Sequence, residues 1–216
     1  AAAGFRCVKL KVGVAGSVPD ELARIAAVRE AIGPTVRLRI DANGAWGVAE
    51  AITIIREAER YDLELVEQPV APDDLTGMAR VRTAVRTPLA ADEPVGGPEQ
   101  ARRVVAARAA DVLVVKPMLA GGLRRALAIV HLARAAGLGV IVTTTIDAGV
   151  GVAAALDLAA TLPVPLLACG LATGPLLAAD LITRPLTVEQ GTMKPPASPG
   201  LGVTLDEQQL ARYGGS

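Results

Sequence analysis

The chain has 216 residues, 51% of them apolar and 20% charged, with 22 basic and 22 acidic side chains that cancel. That is enough apolar material for one sizeable core, and the zero net charge gives no electrostatic case for nucleic acid or an acidic membrane surface. A single histidine (His131), three serines outside any G-x-S-x-G elbow and 2% aromatics leave little for a histidine-centred triad, a His-rich zinc site or a base-stacking platform.

Short β-branched or leucine-rich runs alternate with Ala/Arg/Glu-rich segments of helical period. RCVKLKV (6–12) reads as a strand and is followed by a helical segment over 19–33. VRLRIDA (36–42) leads into 47–61, LELVEQP (63–69) into 73–85, and TPLAADE (87–93) into 97–110. DVLVVKP (111–117) leads into 121–137, LGVIVTTT (138–145) into 149–163, and VPLLACG (164–170) reads as a seventh strand. Each helical segment follows a Gly, Pro or Asp that suits a helix start. Alternation this regular predicts a parallel sheet with helices outside. After residue 185 the period is lost in a Pro- and Gly-rich stretch. The expected organisation is therefore a barrel domain over 1–185 and a tail over 186–216 that closes on its exterior. AAAGFRCVKLKVG has no long apolar h-region, and the apolar stretches are broken by Gly, Pro or charge, so no signal peptide or membrane span is expected. Two cysteines, Cys7 and Cys169, cannot build a disulfide framework, and a reducing cytoplasm is the expected location.

The repeat length chooses the architecture. Asp41, Glu67, Asp92 and Lys116 follow one another at 26, 25 and 24 residues. Units this equal favour an α/β fold of the TIM type, a (β/α)-barrel, over a doubly wound sheet. Seven strands are one short of eight, and the simple expectation is a barrel whose first strand lies upstream of residue 1. An open seven-stranded sheet is the alternative.

Five successive strands finish on a titratable group: Lys11, Asp41, Glu67, Asp92 and Lys116. Parallel barrel strands bring those ends to one rim, where this fold builds its active sites. Lys9 and Lys11 are two apart and share a face of their strand. Five charges at one mouth need partners. Three carboxylates supply hard oxygen ligands that suit Mg²⁺, with Mn²⁺ as a substitute, and two lysines beside the ion can act as acid and base. Such a site abstracts a proton α to a carboxylate and holds the resulting enolate. Each residue also has a plainer explanation: edge-strand solvation for the lysines, an ordinary cap or loop carboxylate for the acids, a Schiff-base role for Lys116. GVGVAA (149–154) fits a dinucleotide fingerprint loosely, lacks the acidic residue after the next strand, and reads better as close packing at a helix start. Thr143, Thr144, Thr145 and Gly170 fall at strand ends, where they would touch substrate or serve turn chemistry. His131 and both cysteines read as packing residues.

KLK (9–11), DANGAW (41–46), EQP (67–69), ADE (91–93), the lysine of VVKP and the ending PGLGVTLDEQQLARY match in order and spacing. Together they resemble the muconate-lactonizing subgroup of the enolase superfamily. The resemblance implies Asp41, Glu67 and Asp92 as Mg²⁺ ligands, choosing Asp92 over Glu93 where spacing could not. It implies Lys11 and Lys116 as opposed catalytic lysines, Lys9 beside Lys11 tuning it as a base, and Asn43 and Gln68 supporting the site from behind. ACGLATG together with TTTIDAGVG is most similar to the o-succinylbenzoate synthase family of menaquinone-pathway dehydratases. The implied reaction is syn β-elimination through an enediolate on a small-molecule carboxylate substrate. N-succinylamino acid racemases share the framework, a barrel fragment acting as a binding module is the non-enzymatic alternative, and a homo-oligomer fits either. The resemblance also implies a capping domain and a first barrel strand ahead of KLK. Without them weak or no turnover is expected.

Overall fold

The computed structural model describes residues 4–164 and 166–214. Six strands form one sheet in sequence order: β1 (Cys7–Lys11), β2 (Arg37–Asp41), β3 (Leu63–Glu67), β4 (Leu89–Ala91), β5 (Val112–Val115) and β6 (Gly139–Val142). Every neighbouring pair is parallel. The crossovers run through α1 (Val18–Ile32), α2 (Val48–Ala58), α3 (Leu75–Ala84), α4 (Pro98–Ala106), and the pair α5 (Pro117–Ala120) and α6 (Leu123–Ala135). α7 (Gly149–Ala160) follows β6, and α8 (Glu207–Tyr213) ends the described chain. Adding each strand on the same side, with a helix always returning outside, curls the sheet into part of a barrel.

Two clusters show which side each strand residue faces. Leu38, Ile40, Leu89, Leu113, Val115 and Val142 meet Ile25, Ile54, Ile55, Met78, Val81, Val104 and Ile129 of the helices in the large core. Leu65, Ala90, Val112, Val114 and Ile141 form a smaller inner cluster with Leu167. The period of two therefore sends Lys9, Lys11, Asp41, Glu67 and Thr143 to the inner side. The β2–β3 pairing slips between Leu38↔Leu63 and Arg39↔Leu65, leaving Glu64 unpaired in the ladder. This bulge turns Glu64 onto Arg37 and Arg39, at 2.8 Å and 2.5 Å.

Local chemistry fixes the helix starts. Ser17 caps α1 and Asp74 caps α3, each accepting a backbone N–H of the first turn. α7 is capped from a distance: Gly149 N–H donates to Asp180 Oδ1 at 2.6 Å.

The run 164–170 departs from expectation. Among the described residues it makes one isolated bridge, Thr143↔Gly170, instead of a seventh strand. Pro163 has no N–H to give, and neither does Pro165, which lies outside the described residues. The Ala168 carbonyl is taken by Arg39 at 2.7 Å rather than by a ladder. β4 is also shorter than the run 87–93, because the Asp92 N–H leaves the ladder for the Gln68 side chain at 3.1 Å. Beyond Leu177 the described tail holds only the bridges Ile182↔Leu205 and Glu189↔Thr192 before α8. No helix among the described residues is long and apolar enough to cross a membrane.

Candidate active site

Register brings the strand-end charges level. Lys11 pairs with Asp41, Asp41 with Glu67, and Glu67 with Ala90, two residues before Asp92. Round the rim the order is Lys11, Asp41, Glu67, Asp92, Lys116. The carboxylates are buried: Asp41 is 0% exposed, Glu67 2% and Asp92 7%. The ammonium groups sit on them. Lys11 Nζ lies 2.6 Å from Asp41 Oδ2, and Lys116 Nζ 2.6 Å from Asp92 Oδ2. Lys9 bridges the first two acids, 2.9 Å from Asp41 Oδ2 and 2.6 Å from Glu67 Oε1. Lys9 and Lys11 thus share one oxygen, as neighbours on one strand face.

Burial pushes the Glu67 carboxyl up to about 7. Lys9 pulls it back, but the charges of Asp41 and Asp92 push it further up. Burial also raises Asp92, with Lys116 offsetting only part of the rise. Asp41 is lowered: burial acts against its ionisation, but Lys9 and Lys11 outweigh burial. Burial acts against the Lys9 charge, yet Glu67 and Asp41 hold Lys9 above the ordinary lysine value. Lys9 therefore contacts two acids shifted in opposite directions, Asp41 lowered and Glu67 raised.

In this arrangement each acid is turned to a lysine, and no group of three or more His, Cys, Asp and Glu among the described residues is gathered to hold a metal ion. The donor chemistry nevertheless fits a hard divalent cation. Three acid side chains stand at the ends of successive strands, and burial holds two of them, Glu67 and Asp92, toward the neutral form despite the lysines beside them.

Neighbouring groups hold the rim in place. Gln68, 0% exposed and at φ 38°, donates through Nε2 to the Val70 carbonyl at 2.9 Å and accepts the Asp92 N–H through Oε1. A left-handed non-glycine residue is costly unless its surroundings over-determine it, and these bonds do so. Asn43, also left-handed, accepts from Lys11 through Oδ1 and donates its backbone N–H to Asp41 Oδ1 at 3.1 Å. Sequence reasoning missed Glu21 and weighed Glu93 only as an alternative to Asp92. Glu21 is 2% exposed and accepts the Gly13 N–H at 2.7 Å and the Val14 N–H at 3.2 Å, holding the loop after Lys11. Its position in the first turn of α1 was the available signal. Glu93 accepts from Asn43 Nδ2 at 3.0 Å.

The three threonines do not act together. Thr143 Oγ1 donates to the Gly170 carbonyl at 2.8 Å, and a Cβ built on Gly170 would lie 2.5 Å from that hydroxyl. Thr144 is buried with its hydroxyl on Thr173 at 2.9 Å, and the Thr145 hydroxyl is held by Asp147. The glycines of GVGVAA serve packing: a Cβ on Gly149 would lie 2.2 Å from Ile182 Cδ1, and Asp180 already supplies the anion at this helix start. Burial raises both the Cys7 and Cys169 thiols, unlike activated nucleophiles.

A family model described as enolase C-terminal domain-like matches residues 1–209. An o-succinylbenzoate synthase from Thermobifida fusca is 47% identical over 174 residues, covering 80% of this chain and 53% of that protein. An L-Ala-D/L-Glu epimerase from Bacillus subtilis is 42% identical over 160 residues, covering 73% and 43%. The muconate lactonizing enzyme of Pseudomonas putida superposes with a TM-score of 0.91 at 29% identity, over 98% of this chain and 59% of that one. The chain spans about half the length of the curated relatives it matches.

Proposed function

This chain belongs to the enolase C-terminal domain-like family, and from that premise we propose that it removes a proton α to a carboxylate and expels water, a dehydration of the o-succinylbenzoate synthase type. The observation that carries the proposal is the rim itself: three buried carboxylates on successive strands, flanked by Lys11 and Lys116. Mg²⁺ held by Asp41, Glu67 and Asp92 would supply a Lewis acid for the substrate carboxylate. As the free amine, Lys11 Nζ takes the α-proton and becomes an ammonium. Asn43 and Asp41 aim that nitrogen into the mouth. The Lys116 ammonium, 2.6 Å from Asp92 Oδ2, lies across the rim and offsets the negative charge that develops as the proton leaves. The Lys11 ammonium returns that proton to the β-hydroxyl on the same face, which departs as water as the Cα–Cβ double bond forms. Thr143 and Gly170 border the substrate on the far side, where a residue larger than glycine would press on the Thr143 hydroxyl. The 47% identity to an o-succinylbenzoate synthase supports this chemistry and a place in menaquinone biosynthesis.

The 42% identity to an epimerase favours a second reading, racemisation by the same two lysines. The segment ACGLATG (168–174) carries no Asp-x-Asp pair to grip a dipeptide amine, so an N-succinylamino acid is the better substrate for that reading. Lys11→Ala separates base from scaffold. Dehydration and α-deuterium exchange should fall at least about a thousandfold while Mg²⁺ still binds. Full rate in this variant would refute the assignment of the base.

A further inference from the structure

Asn43 sits between two groups of opposite kind. On one side is Lys11, which donates to Asn43 Oδ1; on the other is Glu93, whose carboxylate oxygen accepts from Asn43 Nδ2 at 3.0 Å. A side-chain amide between them has one satisfying orientation: Oδ1 toward Lys11 and Nδ2 toward Glu93. Turned through 180°, it would set an NH₂ against an ammonium and a carbonyl against a carboxylate. The Asn43 backbone is already pinned by its N–H bond to Asp41 Oδ1, so the amide rotation is the remaining freedom. Glu93 is exposed and lies one residue past Asp92, after β4, whereas Asn43 follows β2. Their bond therefore spans the end of β3, where Glu67 stands. Lys11 is 59% exposed in its side chain, and Asp41 alone would hold it by a single contact. The second acceptor, Asn43 Oδ1, fixes its direction.

We propose that Glu93 is a positioning residue: by holding the Asn43 amide in one orientation it holds the Lys11 ammonium over the rim. The catalytic consequence rests on the proposed role of Lys11; the positioning itself does not. Two variants separate the acceptor oxygen from the charge. Glu93→Gln keeps an oxygen for Asn43 Nδ2, and Glu93→Ala removes it. In ¹⁵N-labelled protein, with the Asn43 side-chain signals assigned by Asn43→Ala, the Nδ2 protons should be shifted and slow to exchange in the wild type. They should remain so in Glu93→Gln and become those of a solvated amide in Glu93→Ala. Under the proposed dehydration, Glu93→Ala should lower kcat about tenfold to a hundredfold with KM unchanged, and Glu93→Gln should restore most of that rate. Asn43 signals that are the same in wild type and Glu93→Ala would overturn the proposal, as would equal loss of rate in both variants. Because weak or no turnover is expected of this chain without a capping domain, an absence of dehydration bears on neither the positioning nor the base, and the amide signals alone then decide the positioning.

Discussion

Glu67 is the residue whose environment is most at odds with its charge. Its folded value of about 7 lies above the ordinary 4.5, so between those limits the folded chain keeps a proton that the unfolded chain has lost. Metal-free stability should therefore fall as pH rises from about 4.5 to 7, by on the order of 3 kcal/mol. Asp92 is shifted the same way and adds to the slope. The stabilising contribution of Asp41 is present above its ordinary 3.8 and is lost only as pH falls below that, and that of Lys9 is lost only above 10.5, so both act outside this window. Urea unfolding from pH 4.5 to 8 measures the slope. Glu67→Gln should remove most of it, and a flat wild-type profile would contradict this account of the site. At this scale the sequence was most legible where the barrel period applied. Asp41, Glu67 and Lys116 could be placed because a strand end recurs about every 25 residues, Lys11 because it ends the strand before them, and Asp92 because the family resemblance chose it over Glu93. The contacts of Gln68 and Glu93 could not, because each depends on how two non-adjacent segments approach.

The elements follow from simple patterns, and their limits come from contacts between segments. Inward and outward residues alternate along β2 and β5 as a half-polar and a fully buried strand should. Among the described residues the seventh run forms no strand, and Arg39 captures the Ala168 carbonyl that a ladder would use. The bulge at Glu64 was equally invisible, since a register slip leaves no mark in a single strand's composition. α7 begins on GVG, a weak start by propensity, and draws its cap from Asp180, 31 positions further on. Asp180→Ala frees the N–H groups of Gly149 and Leu181, and should cost about 1–2 kcal/mol. That cost should appear as a lower denaturant midpoint with an unchanged m-value, and Asp180→Asn should recover part of it.

In the whole molecule, the six-stranded sheet leaves β1 and the run 164–170 as the two sides of an incomplete ring. A groove of about 520 Å³ lies between them, lined by Phe5, Cys7, Leu167 and Cys169 among others. The rim is assembled from residues 9 to 116, all within the parallel strands and their first following turns, so its geometry comes from strand register rather than from the tail. Periodicity therefore favoured the barrel class and ordered the rim, and the family resemblance fixed the choice of Asp92, whereas ring closure depends on pairings that no single run displays. The central claim is that Asp41, Glu67 and Asp92 can gather one divalent cation between the two lysines. Calorimetric titration of this chain with Mg²⁺ at pH 7.5 tests it most directly. Binding of one ion per chain, lost in Glu67→Gln and kept in Lys11→Ala, is the predicted result; no binding, or binding indifferent to Glu67→Gln, would contradict it.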